Sequence, residues 1–297
     1  MSEGPERTDG RTAPPAFRLL APQSQKAPLI ISSPHSGDYY PPDFIAASQL
    51  DALTLRRSED CFVEELCGAA PSLGLPLIAA THARAYVDCN RESFELDPDM
   101  FRESLPDYVN RSSSGVLTGF GTVPRRVTPD HEIYARRLAF GEARRRIETV
   151  HRPYHEALAE LVAETRRRFG CAFLIDMHSM PSLAAPPGLR PAGFVLGDRY
   201  GETAPMALVG EVERFLKLRG YAVARNVPYA GGFITRHYAR PQEQSHTLQI
   251  EIDRALYMDQ ETFRPARGFA AIQALLSALM EHVADWTLSS QGRKAAE

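Results

Sequence analysis

The sequence is poor in cysteine, and poorer still in cysteine pattern. Its four cysteines (Cys61, Cys67, Cys89, Cys171) form no C-x-x-C pair, which excludes the paired-cysteine metal and redox motifs and gives no basis for a disulfide framework. A reducing compartment is expected. No apolar run approaches the ~20 residues that cross a bilayer, so no membrane span is expected. The N-terminus is polar and has no apolar signal-peptide centre, and the expected location is the cytoplasm. Positive charge is also missing in excess: 34 Lys and Arg against 37 Asp and Glu leave a net charge of −3, which excludes a general attraction to nucleic acid. Internal repeats and convincing linkers are absent. The chain therefore reads as a polar, non-periodic tail over residues 1–15, expected to be disordered, and one domain over residues 16–297.

Two short apolar runs organise that domain. Phe173-Leu174-Ile175 ends abruptly in Asp176-Met177-His178-Ser179, and Leu29-Ile30-Ile31 ends in Ser32-Ser33-Pro34-His35-Ser36-Gly37. Apolar runs of this length bounded by turn residues read as strands buried on both faces, and ligands of open α/β sheets bind just outside the carboxyl ends of such strands. Asp176 shares a strand face with His178 and is placed to orient that imidazole from behind. A lone histidine in a strand-to-loop turn more often just bonds its neighbours. Two strands that each deliver His-Ser form a constellation, and two histidines, a carboxylate and an open water position make a hydrolytic zinc site.

Other candidates follow in chain order. Residues 58–68 read as a helix with Ser58 as N-cap and Asp60 in the first turn, where an acid complements the helix dipole or reaches the metal. Leu75 to Thr81 and Arg84 to Val87 read as strands. The second ends in Asp88-Cys89-Asn90-Arg91, whose Arg91 offers a planar fork for a carboxylate or a surface ion pair. Residues 92–128 read as a long irregular loop, of the kind that is functional or mobile, carrying Arg125 and Arg126. From Pro129 to Phe169 the period is helical, broken at Pro153 into two helices or one kinked helix. The Arg144–Arg146 and Arg166–Arg168 faces are expected to be solvated, and Tyr154-His155 points at the site or packs in the core. Met180 to Pro191 is a Pro-rich loop. A Gly-rich loop, Gly231 to His237, carries Arg236. The last strand, His246 to Ile252, holds Glu251 among apolar neighbours. Burial there raises a carboxyl pKa toward the range of a general base, unless Arg254 or Arg91 pairs with it. A closing helix spans Gly268 to Trp286.

Taken together, Ser33-Pro34-His35-Ser36-Gly37, Ser58-Glu59-Asp60, Val87-Asp88-Cys89-Asn90-Arg91, Pro153-Tyr154-His155, Asp176-Met177-His178-Ser179, Gly231-Gly232-Phe233-Ile234-Thr235-Arg236-His237-Tyr238 and Gln249-Ile250-Glu251 resemble the N-formylglutamate amidohydrolase family. More distantly, their order resembles the zinc carboxypeptidase and aspartoacylase superfamily. The resemblance spans Pro28 to about Asp259. It implies a three-layer αβα fold with a mixed, mostly parallel central sheet. It implies one Zn2+ held by His35, Asp60 and His178, with Glu251 as general base and Arg236 assisting catalysis. Asn90, Arg91 and Arg236 are implied as substrate-binding. The implied reaction is hydrolysis of N-formyl-L-glutamate, a small N-acyl amino acid, to formate and L-glutamate, as at the end of histidine degradation. One departure concerns the third ligand. The carboxypeptidase pattern His-x-x-Glu falls on Asp38 here, so Asp38 competes with Asp60. A zinc deacylase or carboxypeptidase acting on another N-acyl amino acid, and a non-catalytic carboxylate-binding protein on the same scaffold, are the alternatives.

Overall fold

The computed structural model describes residues 13–184 and 191–289. The expected N-terminal tail lies outside the described residues except for residues 13–15, and so does the 185–190 stretch of the Pro-rich loop. The chain enters through β1 (Phe17–Leu20) and β2 (Leu29–Ser33), passes α1 (Pro42–Ala47), α2 (Ala52–Leu55) and α3 (Val63–Leu66), and returns in β3 (Leu77–Ala80). An excursion with α4 (Ser114–Thr118) and a hairpin of β4 (Arg126–Thr128) and β5 (His131–Glu132) leads to α5 (Phe140–Arg146) and α6 (Arg152–Phe169). Then come β6 (Ala172–Met180), β7 (Phe194–Gly197), α7 (Met206–Leu218), β8 (Val223–Arg225), α8 (Phe233–Tyr238) and β9 (Ser245–Asp253). A short pair, β10 (Met258–Asp259) and β11 (Arg264–Pro265), precedes α9 (Phe269–Leu288).

Seven strands form one sheet in the order β1-β3-β2-β6-β9-β7-β8. β3, β2, β6 and β9 run parallel, β1 and β7 join antiparallel, and β8 is parallel to β7. Strand alternation sends Leu29, Ile31, Phe173, Ile175, Leu248 and Ile250 into one apolar cluster with α3, α7 and α9. It sends Ile30, Ala172 and Leu174 into another beneath α1 and α6. Both faces are covered, as parallel strands require, and the fold is the expected three-layer αβα arrangement with a mixed, mostly parallel sheet. Each fully buried aliphatic side chain contributes roughly 1.5–3 kcal/mol.

Several local expectations fail for reasons outside their own segments. β6 continues through His178 to Met180, because its whole length pairs with β9, so His178 lies within the strand rather than after it. Arg84 to Val87 is a turn, closed by Tyr86 and Val87 N–H groups on the Ala83 carbonyl, and not a strand. Ser58 caps no helix. Its hydroxyl bonds the Leu55 carbonyl, and Phe62 in the left-handed region (φ 66°) cuts off all but Val63–Leu66, leaving Asp60 in the preceding loop. The excursion of residues 92–128 is irregular but not loose: Leu96, Met100, Phe101, Leu105, Val109 and Val123 share a buried cluster with Leu138, Ala143 and Ile147. The helical pattern from Pro129 starts only at Phe140, after the hairpin. Arg146 is buried, contrary to a solvated face. Its guanidinium lies over Tyr86 at 4.5 Å and bonds Tyr134 Oη at 2.6 Å, a cation–π cage that replaces water. The segment carrying Arg236 is helix α8 rather than a loop.

Gly37 lies where the turn after β2 crosses the β3 end, and a Cβ there would collide with the His82 carbonyl. Backbone must move to admit it, so Gly37→Ala is expected to cost about 1–3 kcal/mol. Calorimetry should record a melting point several degrees lower, at about 2–4 °C per kcal/mol.

Candidate metal centre

Register builds the site. β6 and β9 align Asp176 with Gln249 and His178 with Glu251, so two adjacent strands present their polar residues on one face at their carboxyl ends. His35 follows β2, the neighbour of β6 on its other side. The Asp60 loop is tied to it by a backbone bond from Asp60 N–H to the His35 carbonyl, 3.0 Å. As a result His35, Asp60 and His178, far apart in sequence and all buried, offer ligand atoms within 4.8 Å of one another.

Each group has its back held. His35 Nε2 donates to Asp88 Oδ1 at 2.7 Å, and His178 Nε2 donates to Asp176 Oδ2 at 2.9 Å. In both rings this turns Nδ1 toward Asp60 Oδ2, which lies 3.4 Å from His35 Nδ1 and 3.0 Å from His178 Nδ1. The other Asp60 oxygen accepts from Ser179 Oγ (3.0 Å) and Arg254 Nη2 (3.1 Å). Asp176 is braced in turn by Ser32 Oγ at 2.9 Å, itself 2.9 Å from the fully buried Tyr154 hydroxyl. This is the carboxylate–histidine arrangement that fixes tautomer and ring direction in metal sites. His35 Nδ1 is buried with no hydrogen-bond partner. An orphaned imidazole nitrogen of this kind is costly unless a cation takes its lone pair, so the donor set fits a metal ion. Asp38 is exposed and outside the group.

The electrostatics are those of a site prepared for a cation. Burial alone would raise the Asp60 carboxyl, but His178 and then His35 beside it outweigh burial and hold it well below the usual range. Burial likewise opposes charge on His178, yet Asp176, Asp60 and Glu251 raise it well above an ordinary histidine. For Asp88, Arg84 and then His35 and Arg91 overcome burial and keep the carboxyl well below its usual value. Glu251 goes the other way: burial, opposed by His178 and helped by Asp60, pushes it up to about 7.

The remaining candidates lie around this centre. Glu251 Oε1 accepts from Gln249 Nε2 at 2.9 Å. Neither arginine weighed as its partner is used that way, since Arg254 goes to Asp60 and Arg91 Nε lies 3.7 Å from Asp88 Oδ2. Asn90 is buried: its Oδ1 accepts from Ile234 N–H at 2.8 Å, and its amide fills the space that a Cβ on Gly232 would take. Arg236 is exposed on α8, 3.9 Å from Glu92, and is not drawn into the His–Asp–His group. Arg84 is half-buried beside the centre, with Nε on Asp88 Oδ2 at 2.9 Å. Asp88 and Arg254 acquired no such roles from sequence. Asp88 stood in the motif next to Asn90-Arg91, and that adjacency was the available signal. Arg254 had none, because its partner is 194 positions away.

Fold and site define an α/β protein with a buried His–Asp–His group able to hold a metal ion at the carboxyl ends of its central strands. The family model described as N-formylglutamate amidohydrolase matches residues 27–258, and the chain belongs to that family. It is 30% identical to the N-formylglutamate deformylase of Pseudomonas aeruginosa over 276 residues, covering 90% of this chain and 97% of the relative. The Pseudomonas putida N-formylglutamate deformylase is 29% identical, with 91% and 97% covered. Among solved structures, the N-formylglutamate amidohydrolase of Ralstonia eutropha JMP134 superposes with a TM-score of 0.85 at 39% identity, covering 91% of this chain and 97% of that one.

Proton and cation compete for one place. Asp176, Asp60 and Glu251 raise His178 well above an ordinary histidine, and its Nδ1 faces Asp60 Oδ2 at 3.0 Å, so a metal taken up at Nδ1 competes with a proton there. Metal binding is therefore expected to release protons and to weaken as pH falls below the raised His178 value, by about tenfold per unit per proton. Calorimetric zinc titrations at pH 6 and pH 8, in buffers of different ionisation enthalpy, measure both effects. Equal affinity at the two pH values would contradict the expectation.

Proposed function

We propose that the protein is a zinc-dependent hydrolase of the cytoplasm that cleaves N-formyl-L-glutamate to formate and L-glutamate. The observation that carries this is the convergence of His35 Nδ1, Asp60 Oδ2 and His178 Nδ1 beside the raised carboxyl of Glu251. The two deformylase relatives, matched over nearly their whole length, support the substrate. The four cysteines, all buried and unpaired, support a reducing compartment.

His35, Asp60 and His178 would hold the ion, and Asp88 and Asp176 would keep both rings in the ligand tautomer. Zinc bound there supplies a Lewis acid that lowers the pKa of water toward ~7 and polarises the formyl oxygen. Glu251 is the general base. Gln249 occupies Oε1, so Oε2 is the oxygen that takes the proton of the attacking water. A nearby dication favours the ionised carboxyl, so Glu251 starts as carboxylate at neutral pH. The proton then passes from Oε2 to the amine nitrogen as the C–N bond breaks, which leaves formate and the free amino acid. Arg84, whose charge is felt by both Asp60 and Glu251, would stabilise the oxyanion beside the centre. Arg91 clamps a substrate carboxylate, with Asn90 fixing its position. Arg236, on exposed α8, meets the outer carboxylate at the rim.

Metal-loaded protein is expected to release formate from N-formyl-L-glutamate, and chelation should abolish the release. Chelator-sensitive turnover of only another N-acyl amino acid would keep the chemistry and change the substrate. Bound zinc with no turnover of any such compound would favour a carboxylate-binding protein.

Two substitutions separate the roles. Glu251→Gln should lower kcat by about 10²–10⁴ with zinc content unchanged by atomic emission. Arg91→Met should raise KM by roughly tenfold or more, as expected for a lost charged hydrogen bond, with a smaller effect on kcat.

A further inference from the structure

Two histidines outside the metal group, His151 buried and His155 half-buried, face the turn that carries Asp88–Arg91. α5 and α6 are joined without a break by a π-helical turn, Ile147–His151, and Pro153 follows it. Proline cannot donate to the helix ladder and crowds the preceding turn, and a wider turn relieves both. Single π turns inside α-helices gather at functional sites. Here the turn leaves the His151 and His155 rings 4.3 Å apart. Both Nε2 atoms point at carbonyls of the same segment: His151 at Arg91 O and His155 at Cys89 O, each 2.8 Å. A carbonyl only accepts, so each ring carries its proton on Nε2. The Tyr238 hydroxyl lies 2.9 Å from His155 Nδ1 and 3.0 Å from the His155 carbonyl, so its one proton is shared between these two acceptors, and burial, pushing the ring down to about 3, keeps it neutral. Phe233, at the start of α8, packs on both rings at 6.5 and 5.3 Å.

The two pinned carbonyls flank Asn90. From the same few residues, Asp88 reaches His35, Asn90 holds α8 by the Ile234 N–H, and Arg91 makes only a 3.7 Å ion pair with Asp88, its buried Nε without a hydrogen bond. A core histidine needs only burial and one partner. Two histidines four positions apart that take alternate carbonyls of one turn form a clamp.

We propose that His151 and His155 are positioning residues for substrate binding: through the carbonyls of Arg91 and Cys89 they fix the height and direction of Arg91, whose Nε lies 3.7 Å from Asp88, the brace of His35. This rests on Arg91 meeting the substrate carboxylate, as proposed above. Neither ring touches substrate or metal, so the effect is on substrate affinity more than on the chemical step, and it vanishes when Arg91 is gone.

The test is a double-substitution cycle with zinc-loaded protein. His151→Leu and His155→Leu are made alone and with Arg91→Met, beside His155→Gln, which keeps a donor within reach of the carbonyl, and His155→Asn, which is too short. The expected result is a loss of roughly tenfold or more in kcat/KM for the Leu and Asn variants. That loss should be carried mainly by KM, with zinc stoichiometry unchanged and most activity restored in the Gln variant. In the Arg91→Met background the same changes should matter by no more than about twofold. Equal losses in both backgrounds, or a Gln variant no better than Asn, would overturn the proposal. A wild-type protein that turns over a different N-acyl amino acid would remove the substrate assignment only, and the cycle is then read on that compound. Amide exchange across residues 88–95 gives a reading without turnover. Faster exchange there in the Asn variant supports the clamp, and unchanged exchange refutes it.

Discussion

The buried carboxylate of Asp60 is the constraint on which the rest of the site depends. An ionised carboxyl sealed from water costs several kcal/mol unless every lone pair is answered. Asp60 is enclosed from three places: by hydrogen bonds from His178 and Ser179 at the end of β6 and from Arg254 just beyond β9, and by the His35 ring after β2, 3.4 Å away. All three lie at the same edge of the sheet only because β2, β6 and β9 run parallel and adjacent. The sheet topology and the charge network are therefore one requirement. An antiparallel β9 would carry Arg254 and Glu251 to the opposite end and leave Asp60 uncompensated.

The same network explains how the centre stays folded before a metal arrives. Asp60, Asp88 and Asp176 are all buried, and Arg84 and Arg254 supply two of the cations they need. His178, raised well above an ordinary histidine, supplies the remainder when it is protonated between Asp176 and Asp60. A proton on its Nδ1 occupies the direction in which His178 would bind a metal, so it acts as a placeholder. His35 has no such placeholder, since its Nδ1 carries no bond. The asymmetry matters physically: one ligand is ready for the cation, and at the other the cation competes with a proton.

What could be read from sequence divides along the same line. The strands around His35, His178 and Glu251 were legible because burial on both faces leaves a dense apolar run, and a histidine or glutamate at its end stands out. The buried strands were enough for an α/β reading, and the three-layer arrangement came from the family resemblance. The true extent of β6, the breaking of the helix at Phe62 and the turn at Arg84–Val87 were not legible, because each is decided by a partner distant in the chain. β6 is extended by β9, the Asp60 loop is held by His35 and Arg254, and Tyr86 is held by Arg146. Arg146 itself misled for a related reason: a run of three arginines predicts a solvated face, and only the packed structure shows that one of them has an aromatic cage. Asp88 was visible as a residue but not as the brace of His35, since a second layer of contacts has no sequence period of its own.

The placement of the arginines has a consequence for how this scaffold selects substrates. The metal group and Glu251 are built on strands of the central sheet and the loops that directly follow them, where any shift is resisted by packing on both faces. Arg84 and Arg91 lie on the turns after β3, Arg125 lies on the excursion with its separate apolar cluster, and Arg236 lies on α8. On the proposed roles of these arginines, selection is carried by segments that pack against the sheet without being part of it. A change of register in the 88–91 turn would re-aim Arg91 and leave His35, Asp60 and His178 in place, whereas loss of Asp88 from the same turn would release His35. With Arg91 in its proposed role, one short segment serves both the metal group and recognition, and such a segment needs a backbone held more rigidly than an ordinary surface turn. Two alternate carbonyls of the segment are met from the helix behind it, by His151 at the end of the π-helical turn and His155 just beyond it.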